Sequence, residues 1–481
     1  APPPPPPGAW RRARAPPAPP APPPRARPPA PARAPPPPPQ RIRAYAGSRP
    51  ADRVLIGHGW DASRWPERRP LSRAELDGLT GGRPLYLTRI DVHSALVTTA
   101  MLDLVPGVRG RDGFRDGEPL TGEAHHAVRA AAYASVSPGQ RAEAQRAALR
   151  HATSLGIGTV HECGGPDISS EDDFTGLLKA AADEPGPRVV GYWADTDVER
   201  AHALGAAGAA GDLFADGSLG SHTACLHEPY ADAPHAGAAH LDADAVAAHV
   251  TACTEVGLQA GFHAIGDHAI GNVVAGVRSA ADALGLARIR AARHRVEHAE
   301  MLTPETVAAF AELGLTASVQ PAFDAAWGGD TGMYAQRLGV ERARTLNPYA
   351  ALLRAGVPLA FGSDSPVTPL DPWGTVRAAA FHRTPEHRIS VRAAFTAHTR
   401  GGWRAVGRDD AGTLVPGAPA DYAVWRTGEL VVQAPDDRVA RWSTDPRSGT
   451  PGLPDLTPGN TLPECLRTVV FGQTVYVRPG E

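Results

Sequence analysis

The chain has 481 residues, of which 42% are hydrophobic and 21% charged, a composition that excludes a wholly disordered protein. It contains no run of 18 apolar residues, so we expect no membrane partner, and no secretory signal is recognisable. The four cysteines show no CxxC spacing, which argues against a disulfide scaffold or a zinc ribbon. These features favour a globular cytoplasmic protein.

The charge is distributed unevenly along the chain. The net charge is −3, but residues 1–50 hold nine arginines and no acidic residue. The remainder therefore carries 39 basic and 51 acidic residues, a balance of −12. A globular body of this charge predicts that nucleic acid is not a partner.

The N-terminal segment consists almost entirely of proline, alanine and arginine, with 21 prolines in residues 1–40. Proline fixes φ and removes the amide donor, so we predict a disordered tail over residues 1–45. One interpretation is an arm that recruits partners through PxxP motifs. The others are a passive tail, or the product of a wrongly assigned start or reading frame.

From about residue 150 the pattern alternates between short apolar runs and alanine-rich helical segments. The helical segments include 242–256, 303–313, in which Thr303 is the predicted N-cap, and 341–355. Such alternation indicates an α/β fold, here a (β/α)8 TIM-type barrel over residues 151–408 with its first strand missing. The seven predicted strands are 156–162, 188–193, 211–217, 259–264, 294–299, 315–320 and 358–364.

Two further regions flank the predicted barrel. Residues 46–150 are predicted to be a partly helical insert, packed on the barrel, with a strand at 84–88. Residues 409–481 contain strand-rich segments at 411–425 and 467–478 with Gly and Pro turns. We expect them to form the C-terminal part of a β-sandwich domain, with a loop between the two segments.

Polar residues stand at the carboxyl ends of the predicted barrel strands, where barrel enzymes carry their catalytic groups. Asp212 begins an alternating series with Phe214 and Asp216, so these three side chains share one face. His263, His298 and Asp364 end three later strands. Imidazole and carboxylate together suit zinc, iron or manganese, so this order predicts a metal site.

The sequence resembles the amidohydrolase superfamily, and within it the amidohydrolase family 3 group that includes N-substituted formamide deformylases. The resemblance covers roughly residues 53–480. The motifs that carry it are GWDASRWP (59–66), DVHSA (91–95), LFADGSLGSHT (213–223), FHAIGDHA (262–269), RVEHA (295–299), FGSDSPVTPLDP (361–372), GTLVPGAPAD (412–421) and TVVFGQTVY (468–476).

The resemblance implies a barrel beside a β-sandwich and hydrolysis of a non-peptide C–N bond, typically in a small-molecule amide. It implies that His263 and His298 are metal ligands and that Asp364 contacts the metal and acts as the base. The cofactor would be one or two divalent ions, zinc first, with iron or manganese as alternatives. A homo-oligomer is also consistent with it.

Other residues are candidates for supporting roles. Asp267 and Glu297 would orient the ligand imidazoles, unless they are simply polar loop or surface groups. Asp91 and His93 match the insert motif and would line the mouth of the pocket. His222 and His294 are further substrate-binding candidates. For His294, the period-2 alternation of a buried strand predicts the same face as His298.

Two departures from the family pattern affect the prediction. Family members begin the barrel with a strand ending in His-x-His, and this motif is absent upstream of residue 150. Many also carry a strand-four lysine that bridges two metals, where this chain has Asp212. Asp212 and Glu162 are therefore the predicted replacement ligands. We expect a metal-dependent amidohydrolase altered at its N-terminus by a wrong start, a frameshift or a truncation; the alternative is a pseudoenzyme that binds a small molecule without hydrolysis.

Overall fold

A computed structural model describes residues 38–50, 53–433, 442–443 and 452–481. Most of the predicted tail lies outside the described residues. Helix α1, Pro38–Gly47, begins inside that tail, so the prediction of disorder is wrong for residues 38–45. Two prolines stand in its first turn, where a missing amide donor is tolerated.

The insert after α1 forms a small three-stranded sheet covered by helices. Strand β1 runs parallel to β2, and β2 pairs antiparallel with β3. The predicted strand at 84–88 is confirmed as β2, whereas β1 and β3 were not predicted. The elements are β1 Leu55–Trp60, α2 Arg73–Thr80, β2 Leu85–Arg89, β3 Ala95–Val97, α3 Thr99–Asp103, α4 Gly122–Ala134 and α5 Pro138–Ser154, with short 3₁₀ turns at Ala62–Arg64 and Val108–Gly110.

The central sheet contains seven parallel strands, six of which overlap the predicted ones. Its order is β10-β9-β8-β7-β6-β5-β4, so β4 and β10 are edge strands. Its elements are β4 Thr159–Gly164, α6 Glu171–Asp183, β5 Arg188–Trp193, α7 Val198–Ala203, β6 Gly208–Ala209, α8 Ala243–Val256, β7 Gln259–Ala264, α9 Asp267–Leu284, α10 Leu286–Ala292, β8 Arg295–His298, α11 Pro304–Leu313, β9 Thr316–Val319, α12 Pro321–Trp327, α13 Met333–Leu338, α14 Val340–Ala343, α15 Tyr349–Ala355 and β10 Leu359–Phe361.

The strands form where apolar runs are buried on both faces. All six residues of β7 and all four of β8 are buried, as expected for a parallel sheet covered by helices. The main core lies between these strands and helices α8, α9 and α11. Thr303 caps α11 as predicted, since its side chain accepts from the amide of Thr306.

Two predicted elements differ in the structure. The strand predicted at 211–217 does not form there: β6, Gly208–Ala209, lies before it, and Phe214 makes only an isolated bridge to His263. The chain turns at Gly211, whose φ of +89° does not continue a strand. The helix predicted at 341–355 is divided into α14 and α15, because Asn347 has a φ of +57° and Pro348 follows it.

The C-terminal region begins with helices and ends in two small antiparallel sheets, ordered β11-β15-β16 and β13-β12-β14. The segment predicted to be a loop therefore contains short strands. The elements are α16 Pro372–Ala380, a 3₁₀ turn Pro385–His387, α17 Val391–Thr396, a π turn Ala397–Gly401, α18 Gly402–Ala405, β11 Tyr422–Arg426, β12 Leu430–Gln433, β13 Trp442–Ser443, β14 Leu453–Pro454, β15 Glu464–Val470 and β16 Gln473–Val477.

The boundary predicted between residues 150 and 151 falls inside α5, which ends at Ser154. Helix α5 also packs against β15 and β16. We retain the division into insert, barrel and C-terminal β region as a proposal. None of the described helices is long and apolar enough to cross a bilayer.

Candidate metal centre

His263 lies at the carboxyl end of β7 with 2% of its surface exposed. Its Nε2 lies 3.2 Å from the carbonyl oxygen of Gly217, so Nε2–H donates to that oxygen. Nδ1 is buried and makes no hydrogen bond, and burial lowers the pKa of the ring but is outweighed by Asp212, which raises it. A buried imidazole nitrogen without a partner is unusual, and it is the atom that a metal ion would bind.

His298 is the last residue of β8 and lies beside His263. Their ring centroids are 4.4 Å apart. In the parallel register His263 pairs with Glu297, so strict alternation would direct His298 to the other face. The strand ends here instead, with φ of +70° at His298 and +46° at Ala299. Backbone conformations of this kind in non-glycine residues concentrate at functional sites.

Asp212 completes a cluster with these two histidines. One ligand atom from each residue, Asp212, His263 and His298, lies within 4.8 Å of the other two. Asp212 Oδ1 is 3.6 Å from Nδ1 of His263. Burial disfavours the charged carboxylate, but the imidazole of His263 more than offsets it and lowers the pKa of Asp212. Asp212 is therefore an anion facing two imidazoles.

Asp364 and Glu162 face the same cavity but lie outside that three-residue cluster. Burial, followed by the charge of Asp212, raises the pKa of Asp364 well above its ordinary value. Burial also raises the pKa of Glu162 to about 7, with Asp173 and Asp212 contributing. The cavity thus gathers carboxyl groups whose pKa values are perturbed by burial and by one another's charge, as at sites of acid–base chemistry.

The cavity lies between the two edge strands of the central sheet. It has a volume of about 1680 Å³ and is lined by residues 159–163, on and beside β4, and by Ala360 and Phe361 of β10. These are the two edge strands of the sheet, so the barrel is open between them. Asp212 and His298 line the same space, which makes the cluster accessible from the open side.

The insert covers the other side of the cluster. The His93 ring centroid lies 4.9 Å from that of His263, and burial lowers the pKa of His93 well below its ordinary value. The carboxylate of Asp91 is not free to contact a ligand. Its carboxylate is paired with Arg89 and accepts from Ser218 at 2.8 Å and from Ser221 at 2.9 Å. Asp91 therefore links the insert to the loop that contains Gly217 through hydrogen bonds.

Four other predicted site residues have their described hydrogen bonds and ion pairs with groups outside the cluster, although Glu297 lines the same cavity. Asp267 accepts from the backbone amides of residues 227 and 268. His222 pairs with Asp232 at 2.9 Å. His294 is buried at the opposite end of β8, where Nδ1 accepts from the amide of residue 260. Glu297 pairs with Arg295 inside the barrel and makes no hydrogen bond to either histidine. The expected orienting role of Asp267 and Glu297 has no contact to support it.

Comparison with known proteins identifies the family of this chain. The model of amidohydrolase family 3, described as an amidohydrolase family, matches residues 28–476. This chain belongs to the amidohydrolase family. It is 27% identical over 466 residues to the putative amidohydrolase YtcJ of Bacillus subtilis, covering 89% of this chain and 80% of that protein.

Other relatives of this amidohydrolase extend the comparison. The Arabidopsis thaliana protein LONG AFTER FAR-RED 3 is 29% identical over 413 residues, 78% of this chain and 69% of that one. A solved structure, an uncharacterised metal-dependent hydrolase from Pyrococcus horikoshii, superposes with a TM-score of 0.61 at 23% identity, covering 79% of this chain and 78% of that one. A second, from Pyrococcus furiosus, gives 0.59 at 24% identity, with 79% of each chain covered. These structures share the fold.

One residue of this amidohydrolase site, Gln320, was missed by sequence reasoning, and Asp216 was predicted to share the face of Asp212 but was given no role. Gln320 directly follows β9, and its Oε1 lies 2.8 Å from Nδ1 of His298. Asp216 is fully buried and accepts from the amides of Cys225, Ile265 and Gly266 at 2.8 to 3.0 Å. It thereby fixes the loop that follows His263. The signal in the sequence that could have identified Gln320 was its position at a strand end.

The donor set fits a divalent metal. His263 offers an unpartnered Nδ1, Gln320 leaves Nε2 of His298 free, and Asp212 adds an anionic oxygen. Two imidazoles and a carboxylate are the usual protein ligands of catalytic zinc, and iron and manganese accept the same atoms. Family membership and this cluster together support a metal-dependent hydrolase.

Proposed function

We propose that this amidohydrolase uses one divalent metal, held by Asp212, His263 and His298, to hydrolyse a C–N bond in a small-molecule amide. The observation that supports it best is the unpartnered, buried Nδ1 of His263 facing Asp212 at 3.6 Å. Zinc is the first candidate, with iron or manganese as alternatives. Glu162 lies outside the cluster, and we propose it as a ligand of a second ion.

When bound, such a metal supplies Lewis acidity and an activated water. The chain supplies the proton transfers. Asp364 lines the cavity from the loop after β10, and we assign it as the base that takes a proton from the attacking water at a carboxylate oxygen. The same group then passes the proton to the leaving nitrogen. His93, on the insert side, would exclude water and bind the substrate.

Metal content is the first test. We expect about one divalent ion per chain in the purified wild-type protein, measured by elemental analysis. His263→Ala should lose it, whereas His151→Ala, which removes an exposed histidine of α5, should keep it. Equal metal content in wild type and His263→Ala would contradict the assignment of the cluster.

Turnover is the second test, with release of amine from N-acyl and formamide substrates as the readout. Asp364→Asn should keep the metal but lower kcat by about 10²–10⁴-fold, the usual contribution of a general acid–base group. Unchanged turnover in Asp364→Asn would remove this residue from the mechanism without affecting the metal assignment.

A second function, binding of a small molecule without hydrolysis, is favoured by one observation. Asp364 lies outside the cluster of close ligand atoms, and the barrel is open between β4 and β10. Metal uptake and ligand binding without amine release in the substrate screen would support this function over hydrolysis.

A further inference from the structure

Arg129 is a buried arginine on helix α4 of the insert. It is among the buried residues of that helix, with 5% of its surface exposed. Arginine is rarely buried to this degree unless it is paired, and its guanidinium stays charged in proteins. The side chain lines the cavity of about 1680 Å³ that is also lined by Asp212 and His298. The insert therefore contributes a permanent positive charge to the wall of this cavity.

The described residues do not neutralise this guanidinium by direct contact. Its Nε and Nη2 are buried and have no hydrogen-bond partner among them. Asp167, whose pKa is lowered by His126 first and by Arg129 less, pairs with His126 at 3.4 Å. Asp212 pairs with His263 at 3.6 Å instead. A buried charge without a partner is costly to the fold, so this arginine needs an explanation other than stability.

The wall around Arg129 is aromatic. Tyr86 and Tyr133 line the same cavity, and Tyr133 lies one turn after Arg129 on α4. The two tyrosine rings meet edge to face, with centroids 6.1 Å apart. The hydroxyl of Tyr86 is already paired with His125, 2.8 Å from its Nε2. A ligand at this wall would meet one cation and a largely apolar surface, which suits an anion with an apolar body.

The charge of the site indicates which anion it would take. A planar guanidinium presents paired N–H groups that match the two oxygens of a carboxylate. One arginine balances one negative charge, and the anionic Asp212 in the same cavity opposes a second. A phosphate ester carries up to two negative charges at neutral pH. The site therefore favours a carboxylate over a phosphate.

We propose that Arg129 is an anion-binding residue that holds the carboxylate of a small molecule whose apolar body lies against Tyr86 and Tyr133. The ligand supplies the counter-charge that the described residues do not supply. This inference goes beyond the proposed hydrolysis, because it concerns binding at the insert and needs no metal. The bound molecule would occupy the cavity that Asp212 and His298 also line.

The test compares two probes of similar size that differ in charge. 3-Phenylpropanoate carries the carboxylate, and 4-phenylbutan-2-one replaces it by a neutral methyl ketone and has no bond that a hydrolase of amides could cleave. Isothermal titration of the full chain should show the carboxylate binding at least about tenfold more tightly. Arg129→Met should reduce this ratio to near one. Arg129→Lys, which keeps the charge but loses the planar fork, should retain part of it.

Two control variants exclude other sources of the preference. Arg150→Met, on an exposed arginine of α5, should leave the ratio unchanged. His263→Ala removes a proposed metal ligand and should also keep the preference, whereas a carboxylate bound by the metal would lose it there. Thermal denaturation checks folding. Since Arg129→Met removes a buried charge without a partner, its Tm should equal or exceed that of the wild type.

Several results would overturn the inference. These are equal binding of the two probes by the wild type, no binding of either, the wild-type ratio in Arg129→Met, or loss of the preference in His263→Ala. A Tm of Arg129→Met well below that of the wild type would identify Arg129 as a structural residue and would overturn it too.

Metal content and amine release decide the proposed function separately. A chain that holds metal and releases amine but binds the two probes equally overturns the role of Arg129 alone. A chain that prefers the carboxylate but holds no metal overturns the proposed hydrolase and leaves the anion site standing.

Discussion

Nδ1 of His298 lies 2.8 Å from Oε1 of Gln320. The amide nitrogen of Gln320 donates to the carbonyl oxygen of Ser318, so its oxygen is left to accept from the imidazole. This hydrogen bond places the proton of the neutral ring on Nδ1 and leaves the lone pair on Nε2. The residue that follows β9 therefore fixes the tautomer of the residue that ends β8, as second-layer groups do in metal sites.

Gln320→Leu tests this relationship directly. Loss of the acceptor frees the ring to rotate and to change tautomer, so we expect metal affinity to fall about 10- to 100-fold. Competition with a chelator of known affinity measures it. Gln336→Leu, on an exposed glutamine of α13, is the matched control and should not change affinity. An unchanged affinity in Gln320→Leu would mean that His298 is oriented by its packing against Phe323 alone.

Asp216 should contribute more to stability than its small side chain suggests. Its carboxylate accepts from three buried amides, and the Gly266 backbone lies so close to Cys225 that an added Cβ would be 2.0 Å from the Cys225 oxygen. Asp216→Ala leaves those amides unpaired, so the free energy of unfolding should fall by about 2–4 kcal/mol. Urea denaturation measures it. Asp282→Ala, at an exposed position of α9, should change it by less than about 0.5 kcal/mol.

Much of the barrel could be predicted because its strands are buried on both faces. The strands at 188–193 and 259–264 coincide with their predicted bounds, since each is a short and largely apolar run. His263 and His298 were predicted from their positions at strand ends, and the structure brings them together with Asp212. For these two histidines, the position at a strand end in the sequence was enough to predict the position in the site.

Other features depend on contacts between distant segments. The hydrogen bonds that Asp91 accepts come from Ser218 and Ser221, which are more than 120 residues away in the sequence. His294 precedes β8, roughly 13 Å before His298 at strand spacing, and His298 leaves the strand alternation on which the prediction for His294 relied. The break at Asn347-Pro348 did have a local signal, because proline disfavours helix for the residue before it.

The Arg89–Asp91 pair should stabilise the attachment of the insert. Both side chains are at most 10% exposed, and Asp91→Ala leaves the buried guanidinium of Arg89 with only the longer contact to Asp61, at 3.5 Å. We expect a loss of about 1–3 kcal/mol in the free energy of unfolding and faster proteolysis of the insert. Asp103→Ala breaks the exposed pair with Arg109 and should cost at most about 1 kcal/mol. Similar losses in the two variants would show that the buried pair does not anchor the insert.

His382 should make the protein sensitive to acid. It is 1% exposed, and burial, with His387 nearby, lowers its pKa to about 3, below the ordinary value of 6.5. Since the folded pKa is depressed, the unfolded chain binds the proton first. The stabilisation from neutral His382 is therefore complete above about pH 6.5 and is lost as pH falls toward 3.

Asp324, 3.5 Å from His382, acts in the opposite direction. Burial raises its pKa to about 6 from the ordinary 3.8, so its contribution is complete at low pH and is lost as pH rises through about 6. Comparing wild type with His382→Gln separates the two, because Asp324 is common to both. We expect the Tm of the wild type to fall more between pH 7 and pH 5 than the Tm of His382→Gln. Thermal denaturation at each pH measures this difference. His202→Gln, on an exposed histidine of α7, should track the wild type, and parallel curves for all three proteins would exclude His382 as the acid-sensitive group.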